Sequence, residues 1–353
     1  MTGRKTLLVM CGSLGLGNSA RLLGVAQAIR RRFGIKPERL RLLVCAGGKA
    51  ADFWTAHARP LGAEVARLEE YAFSESQPGA ARIRWAGFLR PRNAAAYLRN
   101  TLRLRALLRR ERTDLALIDS DYHFLPLLLA GVPVLALSQA WDVLRRGTTG
   151  LPARSLLVER ADLLFQRLAA GSVIVPCFDP PAAAGGRTVC VPLIVREEFS
   201  EQAQQPGPGG RLYVLTGGSG VGSAELLAYA RRYGLPVIGS LPEPAPVLDG
   251  AGRPLIDGAA AVIVQGGLSS ISECIARRKR MIVLPIEGHA EQLSNAREVE
   301  RLGLGMAVAG LSDPPELLLE KLELKAGTSE GKAFPGTGGA ETAAALLVER
   351  LGL

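Results

Sequence analysis

Val264-Gln265-Gly266-Gly267-Leu268-Ser269-Ser270-Ile271-Ser272-Glu273 closes an apolar run with a Gly-Gly turn and opens a hydroxyl-rich helical pattern. Met281-Ile282-Val283-Leu284-Pro285 then repeats the apolar run, and Gly288-His289-Ala290-Glu291-Gln292-Leu293-Ser294-Asn295-Ala296 opens a second helical pattern. Near-continuous apolar strands followed by helices imply a parallel sheet covered on both faces. Ligands of such sheets bind outside the carboxyl ends of the strands. The two loops therefore face one cleft. The first, with Gly266, Gly267, Ser269 and Ser270, offers backbone N–H groups and hydroxyls suited to a diphosphate. Glu273, with two carboxylate oxygens, can accept from both hydroxyls of a ribose. Amide and carboxylate groups of the second loop suit sugar hydroxyls. Ser270-x-x-Glu273 also fits a capping box, in which Ser270 caps the helix and Glu273 reaches back.

The same alternation extends outward. Strand patterns lie at residues 212–216, 237–240, 261–265, 281–285 and 306–308, with helices at 270–278, 290–302 and 314–321. The first half carries strand patterns at 6–10, 40–45, 115–119, 134–138, 173–175 and 189–192, with helices at 19–33 and 94–110 among them. Residues 200–210 are polar, rich in Gly and Pro and free of periodicity, as a linker is. The expected architecture is α/β: two Rossmann-like domains facing across a cleft. The first covers residues 1–199, the second 211–340, and a helix at 341–353 packs back on the first domain.

Gly12-Ser13-Leu14-Gly15-Leu16-Gly17-Asn18-Ser19-Ala20-Arg21 follows the first strand. Its glycines permit close backbone approach, and the helix start offers free N–H groups. The glycine spacing fits GxGxxG only loosely, and Val44-Cys45-Ala46-Gly47 ends the second strand without the acidic residue that reads a dinucleotide ribose. That argues against NAD or FAD. Asn18 alone reads equally well as a helix N-cap.

Taken together, Gly266-Gly267-x-Ser269-x-x-Ser272-Glu273, Pro285, Glu291-Gln292-x-x-Asn295-Ala296 and Leu302-Gly303-Leu304-Gly305 resemble the donor-binding signature of GT-B glycosyltransferases. The resemblance is to the MurG-like, family 28 type and to related uncharacterised archaeal and bacterial transferases. Gly15-x-Gly17-Asn18-x-x-Arg21 resembles that family's first loop, and Leu215-Thr216-Gly217-Gly218-Ser219-Gly220 the loop that opens its second domain. It implies the GT-B fold and an inverting, metal-independent transferase with a nucleotide sugar, usually UDP-linked, as co-substrate and no bound cofactor. By position, Glu273 would bind ribose, and Gly218, Ser219, Gly266, Gly267, Ser269 and Ser270 would lie at the phosphates. His289, Glu291, Gln292 and Asn295 would reach the donor sugar. Gly15, Gly17, Arg21 and His123 would face the acceptor.

One departure concerns the chemistry. The family usually carries histidine, a candidate base, where Asn18 stands, and an asparagine amide takes no proton at neutral pH. Asn18 then positions the acceptor, with Asp119, Asp121 and His123 as local candidates for proton transfer; an acceptor already ionised would need no base. Asp119-Ser120-Asp121 also fits the DxD of metal-dependent transferases, but two carboxylates are few ligands for a hard cation, and solvated loop acids or a cap on the helix near His123 are the plainer reading. Two alternatives remain open: a non-hydrolysing UDP-sugar 2-epimerase of the same fold, and a non-catalytic nucleotide-sugar-binding protein.

Charge adds a partner. The formal net charge of the 353 residues is +10, yet residues 1–195 carry 28 Lys/Arg against 14 Asp/Glu and residues 196–353 carry 15 against 19. Ten arginines and one acid fall in residues 82–112, interleaved with Trp85, Phe88 and Tyr97. That stretch reads either as a solvated amphipathic helix burying Leu98, Leu102, Leu104, Ala106 and Leu108, or as a surface for an anionic acceptor or anionic lipid. No nucleic-acid module accompanies it. Five scattered cysteines without metal-site spacing and no segment of membrane-spanning length point to a cytoplasmic protein, peripheral on the inner face of a membrane.

Overall fold

The computed structural model describes residues 3–12, 16–70, 90–182, 185–200, 211–217, 222–239, 247–326 and 334–353. Within them, seven strands form the first sheet: β1 (Lys5–Cys11), β2 (Leu40–Gly47), β3 (Ala63–Leu68), β4 (Leu115–Asp119), β5 (Val134–Leu137), β6 (Ser172–Pro176) and β7 (Thr188–Val191), in the order β3-β2-β1-β4-β5-β6-β7. The second sheet holds β8 (Arg211–Thr216), β9 (Val237–Gly239), β10 (Ala259–Gln265), β11 (Arg280–Leu284) and β12 (Gly305–Ala307), in the order β12-β11-β10-β8-β9. Every strand pairing is parallel.

β1 shows why the sheets are covered on both sides. Leu7 and Val9 point into one apolar cluster and Leu8 and Met10 into another, so alternation delivers two buried faces rather than one. The first cluster packs under α1 (Leu16–Arg31) and α2 (Gly48–Leu61). The second lies under α3 (Pro91–Arg110) and α4 (Phe124–Leu129). The edge strand β3 has no fully buried residue. Its half-exposed, charged pattern is why strand periodicity alone misses it.

Further along lie α5 (Ala140–Arg145), α6 (Ala153–Ala169) and α7 (Glu197–Ser200). The second sheet is flanked by α8 (Ser223–Tyr233), α9 (Leu268–Ala276), α10 (Ala290–Arg301) and α11 (Pro315–Ala326). The last helix, α12 (Gly339–Leu351), buries Ala340, Ala343, Ala344, Leu347 and Leu351 in the first domain's core. That i, i+3, i+4, i+7 stripe is the core face of an amphipathic helix. In the other direction, Phe178, Leu193, Val195 and Phe199 pack into the core beneath the second sheet. The two halves thus exchange packing segments around their junction.

Strand order reverses between β1 and β4 in one sheet and between β8 and β10 in the other. Crevices form at such switch points. At the first, a Cβ on Gly12 would lie 2.1 Å from the Ser120 carbonyl oxygen, so only glycine lets the β1–α1 loop close on the β4–α4 loop.

Candidate functional site

The cleft is built from both switch points. α9 begins at Leu268 with Gly267 as its N-cap residue and no side-chain cap. The capping-box reading therefore fails: Ser270 lies inside the helix, half-buried, and its first N–H groups are left to other partners. A Cβ on Gly267 would meet nothing within 4 Å, so this glycine borders open space. Gly266 has a different role, since a Cβ there would lie 2.5 Å from the Gln292 carbonyl oxygen. It lets α10 approach β10. Across the cleft, Ser269 Oγ donates to the Gly17 carbonyl at 2.8 Å, joining the first loop of one domain to the helix start of the other.

Glu273 is buried on α9 and held by Arg196, which precedes α7. Arg196 Nε and Nη2 both reach Glu273 Oε1 at 2.8 Å, while Nη1 lies 3.4 Å from Glu198 Oε1. The guanidinium also stacks 4.8 Å from the Phe199 ring centroid. Burial pushes the Glu273 carboxyl up from its ordinary range and Arg196 opposes that shift. The guanidinium takes Oε1 twice and makes no bond to Oε2. Arg196 was not singled out from the sequence.

The second loop is braced rather than open. Gln292 Oε1 accepts from Ile286 N at 3.0 Å, and Asn295, fully buried, donates to the Gly266 carbonyl at 2.9 Å. Asn295 Oδ1 also receives Arg146 Nη2 at 2.9 Å and faces the Gln139 amide. The expectation that Asn295 contacts the sugar is therefore corrected: its polar atoms fix the Gly266 turn and tie it to α5, while Gln292 braces the second loop through Oε1. Glu291, in the first turn of α10, faces the cleft; with the Gln139 amide turned to suit its neighbours, it donates to Glu291 Oε1 at 3.0 Å. Ser155 of α6 caps Ala290 N at 2.8 Å. His289 is the N-cap residue of α10, and burial pulls its imidazole pKa down.

On the first-domain side, Asn18 sits in the first turn of α1, past the N-cap position, so it does not cap the helix. Its Oδ1 accepts from Arg21 Nη2 at 2.8 Å. Arg21 in turn grips Asp119, Nε to Oδ2 and Nη2 to Oδ1, both at 3.0 Å. Burial works against the Arg21 charge, and the Asp119 carboxylate more than restores it. Fully buried and doubly paired, Asp119 is not placed to take a proton from an acceptor. Asp121 Oδ1 accepts from His123 N at 2.9 Å and lies 2.7 Å from His123 Nδ1. His123 is fully buried and stacked 4.3 Å from the Tyr97 ring. Its expected acceptor contact is corrected for that reason, and Asp121 is an orienting group at the entry to α4. The DxD carboxylates thus serve separate partners, and among the described residues no cluster of His, Cys, Asp or Glu is arranged to hold a metal. Gly15, Gly218 and Ser219 lie outside the described residues.

In the basic stretch, residues 82–89 lie outside the described residues and α3 covers most of the rest. Leu104 is buried, but Leu98 and Leu102 are 59% and 55% exposed. The expectation that both are buried is overturned: the helix meets the sheet through Ala96, Asn100 and Leu104. All five cysteines are free thiols.

Two facing parallel-sheet domains with these switch-point loops constitute the GT-B fold. Residues 253–334 match the model of the glycosyltransferase family 28 C-terminal domain, which takes in most of the motif read from the sequence. Over 67 residues, 19% of this chain, the sequence is 43% identical to a protein of Methanosarcina acetivorans described as an uncharacterized glycosyltransferase, and over 69 residues 36% identical to one of Methanopyrus kandleri. These matches span only 17% and 20% of the relatives' own lengths. Among solved structures, MurG of Acinetobacter baumannii aligns with 98% of this chain and 99% of its own at a TM-score of 0.57 and 14% identity. A Streptomyces glycosyltransferase solved with thymidine diphosphate aligns over 98% and 100% at 0.59 and 18%. A UDP-glucosyltransferase from Polygonum tinctorium aligns over 100% of both chains at 0.60 and 14%.

Proposed function

We propose that this chain is a glycosyltransferase that moves a sugar from a UDP-linked donor to an acceptor held by the first domain, with inversion and without a metal. The observation that carries the reading is Glu273, a buried carboxylate anchored through one oxygen and beside the open N-terminus of α9. Main-chain N–H groups at Gly267–Ser269 and the helix terminus would neutralise the departing diphosphate. Asn18 and Arg21 would shape the acceptor side, and closure across the Ser269–Gly17 contact would exclude water.

UDP at 100 times its dissociation constant stabilises by about 2.7 kcal/mol. For a chain of this size that raises Tm by roughly 5–10 °C. Glu273→Ala should abolish most of the rise, and a wild-type Tm unmoved by UDP and by UDP-sugars would overturn the reading.

The acceptor is proposed to be lipid-linked and met at an anionic membrane surface. Among the described residues no helix is long and apolar enough to cross a membrane. Leu98 and Leu102 of α3, Leu125 and Leu129 of α4, and Leu164 and Leu168 of α6 are all exposed. The three helices adjoin: α3 packs on α4, and Phe124 of α4 meets Phe165 of α6 at 5.1 Å. Exposed arginines of α3 and α6 flank the leucines, a pairing of apolar side chains and positive charge that suits anionic headgroups. Replacing Leu125, Leu129 and Leu168 with serine should reduce sedimentation with phosphatidylglycerol vesicles at least tenfold and spare UDP binding. Unchanged sedimentation would remove the membrane from the proposal.

A further inference from the structure

With Asn18 unable to take a proton and Asp119 and Asp121 engaged elsewhere, the proton acceptor must be sought on other elements. α6 bonds to the segments that follow β4 and β5, through Tyr122 and Ser138. Ser155 on that helix reaches Ala290 N, and Asp162, two turns on, accepts from Tyr122 Oη at 2.6 Å, Ser138 Oγ at 3.1 Å and Gln166 Nε2 at 2.7 Å. Between them on the same face lies Glu159. It is 8% exposed and makes no hydrogen bond or ion pair among the described residues. Every other acid of the cleft floor is held: Asp119 by Arg21, Asp121 by His123, Asp162 by Tyr122 and Glu291 by the Gln139 amide.

We propose that Glu159 is the general base of the transfer, and hence that the reacting atom of the acceptor is a neutral hydroxyl oxygen. This rests on the glycosyltransferase reading above. The hydroxyl proton passes to the Glu159 carboxylate as the oxygen bonds to the anomeric carbon. The bond from that carbon to the donor diphosphate breaks, and its electron pair leaves with the diphosphate. Charge supports a hydroxyl over an ionised nucleophile. Glu159 faces Glu291 from α10, Asp162 from its own helix and the Tyr122 hydroxyl from the β4–α4 loop, while the two cations that act on Glu291 are already paired, Arg21 with Asp119 and Arg146 with Asp142. An acceptor anion would meet net negative charge there. Burial first, and then Glu291 and Asp162, push the Glu159 carboxyl well above its ordinary range. A base so shifted is a stronger proton acceptor, at the cost of being ionised only at higher pH.

Water can stand in for the acceptor, so the test is slow hydrolysis of UDP-N-acetylglucosamine, read as released UDP, beside UDP affinity by calorimetry. Wild-type hydrolysis should rise with pH through a midpoint above the ordinary carboxylate range. Glu159→Gln should bind UDP normally, hydrolyse at least 100-fold more slowly, and lose the pH dependence. The isosteric variant also reports folding. A raised folded-state pKa gives stability that is present below the unfolded value and lost as pH rises through the folded one, so Glu159→Gln should match or exceed wild-type Tm above neutrality. Wild-type rate and pH profile in a variant that still binds UDP would overturn the role of Glu159 alone. Failure of the wild type to bind UDP or the UDP-sugar would instead overturn the glycosyltransferase reading, and this inference with it.

Discussion

Replacing Arg196 with methionine should weaken UDP binding about 100-fold at pH 7, and the loss should shrink as pH rises. Arg196 reaches Glu273 through two nitrogens on one oxygen, with both groups buried. Remove the guanidinium and Glu273 keeps its desolvation but loses the group that opposes it, so its pKa climbs further. A protonated, unanchored carboxyl accepts a ribose hydroxyl poorly; hydrogen bonds to charged groups are worth about 1.5–3 kcal/mol, or roughly 10–100-fold in affinity. Raising the pH restores the carboxylate, so calorimetry between pH 6 and 9 should show variant affinity climbing toward a flatter wild-type curve. Lysine should rescue only in part, since an ammonium cannot repeat the planar fork. A loss of the same size at every pH would mean that Arg196 acts on the nucleotide directly or on the fold, and not through Glu273.

What the sequence made legible here was local, and what it hid was long-range. The strand–glycine–helix runs around 266–296 are contiguous, so their periodicity exposes the second sheet, the turn at Gly267 and the position of Glu273. Arg196 is 77 residues from Glu273, and only the path of the chain from β7 into the second core brings them together. Asn295, expected at a sugar, meets Gln139 from 156 residues away for the same reason. Glu159 has no motif at all: mid-helix, flanked by Val158 and Arg160, it looks like a solvated charge until α10 covers it. Composition failed in the opposite sense at Leu98 and Leu102. Helical spacing marks them as apolar, but it cannot say whether a sheet or a membrane is to cover that face.

The largest effect on stability should come from Arg21→Met. Asp119 has no exposed surface, and without Arg21 its hydrogen-bond partners narrow to the Ser120 hydroxyl at 3.1 Å. Breaking a buried pair by removing one member costs about 3–5 kcal/mol, since the other charge stays behind unpaired. At 2–4 °C per kcal/mol that is a fall in Tm of roughly 10 °C. Arg21→Met combined with Asp119→Leu should recover most of the loss, because replacing both partners removes the stranded charge. Asn18→Ala, which takes away one accepting oxygen from the guanidinium, should cost only about 1 kcal/mol. Thermal denaturation of this set separates the pair from its neighbour, and a Tm for Arg21→Met within 2 °C of wild type would deny the pair its structural weight. The pair also bears on chemistry. Glu291 acts electrostatically on both Arg21 and Asp119. Without Arg21, burial drives the stranded Asp119 carboxyl further up and toward its neutral form, so the two opposite charges leave the floor shared by Glu291, Asp162 and Glu159 together. The pH midpoint of donor hydrolysis should accordingly change little in Arg21→Met and in the double variant, and a clear upward shift in Arg21→Met alone would mean that Asp119 keeps its charge.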